Sequence, residues 1–360
     1  MLLYITTGEG RDREVRPLHT IPDTVNELYY LAMREHVRPA VVQYWLTDRW
    51  ARDPDWRFDR QVIRVALFLG ERLGVERGRP VAVLGPLGVT WPLVDFAVQG
   101  LNGVPIGIDH RLDDRRVVEA LRDAKAAVVF ATDDDSAARA ARLRGDVDSL
   151  RFVVQPSGAD EGADGVVGMN FVWSRGEVLD TPERAQRWRG GAREAGAADV
   201  AFVHYARGTD GTAERQDVTH REAMDFVRDR VARAPGKEGD VAYFATRTMT
   251  SRARLCLYQC VGDGYAMVTM PHPDGDAAMV DLGPTRLVAP SALLERLAEE
   301  LAALSGVGRA RRIRERVQQT LGERMRWIEP AEPLSASHEQ VLLEAGLPLP
   351  FLAAGAKASP

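Results

Sequence analysis

The stretch Val200-Ala201-Phe202-Val203-His204-Tyr205-Ala206-Arg207-Gly208-Thr209-Asp210-Gly211-Thr212-Ala213-Glu214-Arg215 carries the most information about the fold. Its first four residues form a short apolar run, the pattern of a strand buried on both faces of a sheet. Thr209-Asp210-Gly211 is turn chemistry, because glycine tolerates positive φ and aspartate bonds back to nearby backbone. From Arg221 to Ala232, Ala223, Phe226, Val227 and Val231 recur at helical spacing. Strand, glycine-rich loop and helix in that order is the setting in which backbone N–H groups cradle phosphate. On these residues alone the loop reads either as a phosphate cradle or as a plain turn.

Similar signals extend outward from this stretch. Pro80–Leu84, Val128–Ala131 and Phe152–Val154 are further short apolar runs. Helical periodicity appears at Val25–Ala32 behind a candidate cap at Asp23, at Val62–Leu73 before Gly74, at Trp91–Gln99 and at Val117–Ala124. Alternating strands and helices imply a largely parallel sheet covered on both faces. The 155–168 segment, rich in Gly, Asp and Ala, reads as a surface loop, and the polar stretch 180–198 as a bridge. A boundary near Gly196 gives one α/β subdomain over residues 1–196 and a second over 197–360. Later, Ser291 precedes a helical pattern of Leu293, Leu294, Leu297 and Leu301, and five arginines between Arg309 and Arg316 mark a solvated basic helix face.

Composition excludes several function classes. The 360 residues are 45% hydrophobic, enough for a sizeable core. A net charge of -5 from 47 basic and 52 acidic residues provides no global field for nucleic acid or anionic lipid. The two cysteines, Cys256 and Cys260, lack partner ligands for zinc and fit a reducing compartment. Charged residues from Glu9 to Arg16 exclude a secretory h-region, and no apolar run reaches the length of a membrane span. These features predict a cytoplasmic protein with no nucleic-acid partner and no membrane span.

The segment from Tyr205 to Arg215, followed by Thr219-His220, resembles the signature Y-T-S-G-T-T-G-x-P-K-G…T-H of the adenylate-forming (AMP-binding) superfamily, in particular long-chain acyl-CoA synthetases. Other segments resemble the same family in the same order: Thr20–Thr24, Leu73–Leu84, Gly103–Ile106, Leu121–Ala126, Pro284–Pro290, Leu321–Arg326 and Glu332–Ser335. The resemblance covers roughly residues 20 to 350. It implies the α/β fold of the acyl-CoA synthetase-like large domain, two stacked, largely parallel sheets flanked by helices, lacking the small carboxy-terminal domain.

The same resemblance implies lost chemistry. Glu214 stands in place of the lysine that meets the ATP phosphates, and charges about 4 Å apart interact by roughly 4 kcal/mol at an effective dielectric near 20. Met249 stands in place of a histidine, and Leu352–Lys357 replaces an aromatic-glycine-x-threonine-glutamate segment. The ribose-binding aspartate and catalytic lysine of the family fall beyond the end of this sequence. Arg207, Gly208, Thr209, Asp210, Gly211 and Glu214 therefore form a relic phosphate loop, with Arg207 and Arg215 restoring part of its positive charge. No catalytic residue, metal site or cofactor is expected, and His204, His220 and His338 are expected to be structural. The expected function is that of a catalytically inactive acyl-CoA synthetase-like protein working as a binding, scaffolding or regulatory partner, as a homo-oligomer or with a dedicated protein. The alternatives are a divergent acyl-activating or nucleotide-binding protein completed by another chain, and a carrier of an acyl or small apolar ligand.

Overall fold

Short apolar runs alternate with amphipathic stretches along the chain, and in the computed structural model they sort into two largely parallel sheets sharing one core. The structure describes residues 20–347 apart from 37, 47, 159–164, 192–193, 238, 265, 271–280 and 307. Within them the chain runs α1 (Val25–Glu35), β1 (Val42–Trp45), β2 (Trp50–Asp53), α2 (Asp55–Leu73), β3 (Pro80–Leu84), α3 (Thr90–Gln99), β4 (Val104–Ile108), α4 (Asp114–Ala124), β5 (Val128–Ala131), α5 (Asp134–Leu143), β6 (Phe152–Gln155) and β7 (Val166–Gly168). It continues through α6 (Met169–Leu179), α7 (Pro182–Gly191), β8 (Val200–Arg207), β9 (Ala213–Thr219), α8 (His220–Arg233), β10 (Val241–Phe244), α9 (Ser251–Asp263), β11 (Ala266–Met270), β12 (Arg286–Ala289), α10 (Ser291–Ala303), α11 (Arg309–Leu321), β13 (Trp327–Pro330) and α12 (Ala336–Glu344).

One sheet has the order β7-β6-β5-β3-β4-β8-β9 and the other β13-β12-β10-β11-β1-β2. Every neighbouring pair is parallel except the edge pairs β8–β9 and β1–β2. The strands buried on both faces, such as Val128–Ala131, are the ones that read as unbroken apolar runs. Strand pairing crosses position 196 in both directions. Val203 of β8 pairs with Ile106 of β4, and Val42 of β1 pairs with Met267 of β11.

The main core lies between the sheets. It joins Val81 and Phe202 from one sheet to Ala242 and Met267 from the other through helices α1, α2, α3, α8 and α9. Separate clusters close the remaining faces, α4 and α5 on the seven-stranded sheet and α10 to α12 on the six-stranded one. α2 buries Phe58, Val62, Val65, Ala66 and Leu69 along one stripe and ends where Gly74 turns left-handed at φ 65°. α9 is tied to α3 by Arg254, fully buried, whose Nε donates to Asp95 at 2.9 Å, while the Tyr258 hydroxyl donates to the same carboxylate at 2.8 Å. The Arg254 guanidinium also lies 4.4 Å from the centre of the Phe202 ring, on β8 of the seven-stranded sheet.

Two local expectations, at Asp23 and at 155–168, are corrected, and the 180–198 stretch gains a helix. The cap of α1 is Thr24, whose hydroxyl accepts from the Glu27 N–H, and not Asp23, which Arg228 holds in an ion pair. The polar 180–198 segment contains α7, which buries Ala185 and Trp188; Trp188 packs so closely on Gly100 that no side chain fits there. The 155–168 segment ends in strand β7.

Candidate functional site

The loop that the sequence singles out is the tip of a β-hairpin. Tyr205, Ala206 and Arg207 of β8 pair with Arg215, Glu214 and Ala213 of β9, and only after this second strand does α8 begin. The expected passage from loop straight into helix is therefore wrong, and the α8 N-terminus is a β9 strand's length from the glycines. That N-terminus is closed by its own capping box, Thr219 with Glu222.

Inside the tip three N–H groups are engaged. The Gly208 N–H donates to the Thr212 carbonyl at 2.9 Å, the Gly211 N–H to the Gly208 carbonyl at 3.0 Å, and the Thr212 N–H to the Asp210 carboxylate at 2.9 Å. The Thr212 hydroxyl donates to the same carboxylate at 2.6 Å, and these bonds hold the Asp210 carboxyl below its usual range. Gly211 has φ 81°, which the turn requires and a β-carbon disfavours. Around Gly208 the facing atoms are oxygens of Glu214, Thr212 and Asp210. The space beside Gly208 is therefore faced by two carboxylates. Arg207 is exposed at the tip, whereas Arg215 is held by Asp123 at 2.8 Å and Asp217 at 2.9 Å, turned to charges of its own.

The other singled-out positions sit in structural roles. Met249 is buried in the main core. His204 is buried on β8 beside Gly107, and burial, with Arg254 next in effect, holds its pKa down to about 3. Burial holds His220 down to about 4, and its Nδ1 accepts from the Val25 N–H at 3.2 Å, joining α8 to α1. His338 lies on α12 near Glu295 and Glu299 of α10. The thiols of Cys256 and Cys260 are buried, and Glu332, in the family-like Glu332–Ser335 segment, accepts from the Ser291 N–H at 3.0 Å at the start of α10. Arg316 of α11 pairs with Glu300 at 2.6 Å and Arg311 with Glu315 at 2.7 Å, so part of the basic face is neutralised. Among the described residues no cluster of three His, Cys, Asp or Glu side chains has metal-binding proximity. No helix among them is long and apolar enough to cross a membrane.

A much larger concavity lies elsewhere. A cleft of about 1660 Å³ opens outside the carboxyl ends of β3, β5, β6, β1 and β10, where open α/β sheets commonly bind ligands. Its apolar walls include Leu46, Trp56, Leu93, Trp173, Leu293 and Leu297, and no residue of the β8–β9 hairpin contributes. Six arginines line it against three carboxylates, Asp53, Asp133 and Glu300. Four of the six are neutralised: Arg57 by Asp53 at 3.1 Å, Arg60 by Asp180 at 2.8 Å, Arg64 by Glu177 at 2.7 Å, and Arg316 by Glu300. Arg247 and Arg296 have no carboxylate in ion-pair range among the described residues, and both are exposed. Sequence reading missed this cleft because its lining comes from many separated segments, none with a local signature.

The sequence profile described as AMP-binding enzyme matches residues 56–350. The chain belongs to the AMP-binding enzyme family. Within the family it is similar to the long-chain-fatty-acid–CoA ligase FadD15 of Mycobacterium bovis, 26% identical over 163 residues, a stretch making up 45% of this chain and 26% of that ligase. The N-terminal domain of FACL13 from Mycobacterium tuberculosis superposes with a TM-score of 0.65 at 17% identity, covering 91% of this chain and 74% of that one. The long-chain-fatty-acid-CoA ligase FadD1 of Archaeoglobus fulgidus gives 0.66 at 13%, covering 92% and 62%. This family member thus has the two-sheet fold of these proteins and spans about a quarter of the matched curated ligase.

Proposed function

We propose that this AMP-binding family member is catalytically inactive as an acyl-adenylating enzyme and works by binding, as a scaffolding or regulatory protein with its own kind or with a dedicated partner. One observation carries the reading: the hairpin tip that resembles the family's phosphate loop spends the N–H groups of Gly208, Gly211 and Thr212 on its own carbonyl and carboxylate oxygens and places Asp210 and Glu214 beside Gly208. Phosphate binding depends on free backbone donors and positive charge, and both are diminished here. The deep burial of Met249 supports the same reading, since the residue at that position faces the core.

The test is pyrophosphate release from MgATP across a panel of carboxylic acids, with calorimetric titration of MgATP alongside. No acid-dependent release above background and no micromolar heat is expected. Acid-dependent release that disappears when the hairpin tip is mutated would overturn the proposal. Light scattering across micromolar concentrations, with a pull-down from native cells, tests the association: a monomer at every concentration with no partner recovered refutes it.

A further inference from the structure

The cleft between the carboxyl ends of the two sheets has a chemistry separate from the hairpin. Its volume of about 1660 Å³ exceeds the roughly 300–1,000 Å³ of ordinary small-molecule sites, so a single slim chain underfills it. Trp56 at 65% and Leu46 at 40% are among the most exposed large apolar side chains among the described residues, and both stand on this cleft. Apolar surface left open beside a concavity marks a binding face. Trp173, Leu93, Leu293 and Leu297 continue the apolar lining inward from α6, α3 and α10.

Charge narrows the occupant further. Four lining arginines are spent on Asp53, Asp180, Glu177 and Glu300, leaving Arg247, just beyond β10, and Arg296, on α10, without carboxylate partners among the described residues. A guanidinium fork suits phosphate oxygens, and beside low-dielectric walls its field extends further than in open water. We infer that the cleft binds an anionic, phosphate-headed lipid with two chains, its chains on the Trp56–Trp173–Leu297 wall and its head group at Arg247 and Arg296.

This inference goes beyond the non-adenylating reading and needs neither ATP nor the hairpin, which shares no lining residue with the cleft. The probe is dihexanoyl phosphatidate, a soluble two-chain lipid, added to the full chain while tryptophan emission is followed; the Trp56→Phe variant identifies the reporter. A saturable blue shift is expected, carried largely by Trp56. The affinity should fall at least tenfold in the Arg247→Ala, Arg296→Ala double variant and at least tenfold for dihexanoyl phosphatidylcholine, and be unchanged in Glu214→Lys. Both arginines are exposed, so the double variant should fold, which circular dichroism checks. Equal affinity for the two lipids, an unaltered double variant, tighter binding of hexanoate, or a response confined to anionic vesicles would each overturn the proposal. Pyrophosphate release in the separate assay would sink the non-adenylating reading without touching this one.

Discussion

Asp263 is the last residue of α9, only 1% exposed, and sits where a helix end already carries partial negative charge. Burial raises its pKa from 3.8 to about 6, opposed by Arg286 and by the Gln259 amide, which donates to it at 3.3 Å, and reinforced by nearby Asp240. A rise of this size corresponds to about 3 kcal/mol of differential interaction between the charged and neutral carboxyl groups. For a carboxyl with a raised native pKa, the native state holds the proton while the unfolded chain has lost it, between about pH 4 and pH 6. Stability from this group is therefore present at low pH and lost as pH rises through its native pKa. Asp263→Asn keeps the shape and abolishes the ionisation. The variant should match the parent near pH 4 and exceed it by up to about 3 kcal/mol above pH 7, several degrees in melting temperature. Urea unfolding of both proteins from pH 4 to pH 8 is the assay. A stability difference that does not grow across that range refutes the assignment of a costly buried carboxylate.

Other expectations concern the loop and the packing. Glu214→Lys alone should yield no acid-dependent pyrophosphate release, because Asp210 and the occupied N–H groups of the tip remain; turnover in that single variant would contradict this. Asp95→Ala strands the fully buried Arg254 and should cost about 3–5 kcal/mol by urea unfolding, whereas a loss below about 1 kcal/mol would show the pair to be dispensable. Gly176→Ala places a β-carbon 2.3 Å from the Arg64 carbonyl oxygen where α6 crosses α2, and should cost about 1–3 kcal/mol in thermal denaturation. An unchanged melting temperature there would mean that the helices separate freely.

The sequence by itself determined the α/β alternation and the family. Val128–Ala131 has the pattern of an inner strand, four apolar residues buried on both faces, and α2 announced itself through its stripe and Gly74. Strands with weak patterns were not legible. β9, reading Ala-Glu-Arg-Gln-Asp-Val-Thr, has the composition of a solvated loop and is a strand because β8 offers it an open edge. That pairing places the glycine loop at a hairpin tip and not directly before a helix. Packing also decided which strands share a sheet across position 196 and which lining arginines have a carboxylate partner among the described residues. Arg60 and Arg247 look alike in sequence; only packing brought Asp180 to 2.8 Å from the first and no described carboxylate to the second. Local patterns record what a segment must bury, whereas the pairs Arg60–Asp180 and Arg64–Glu177 join residues more than a hundred positions apart.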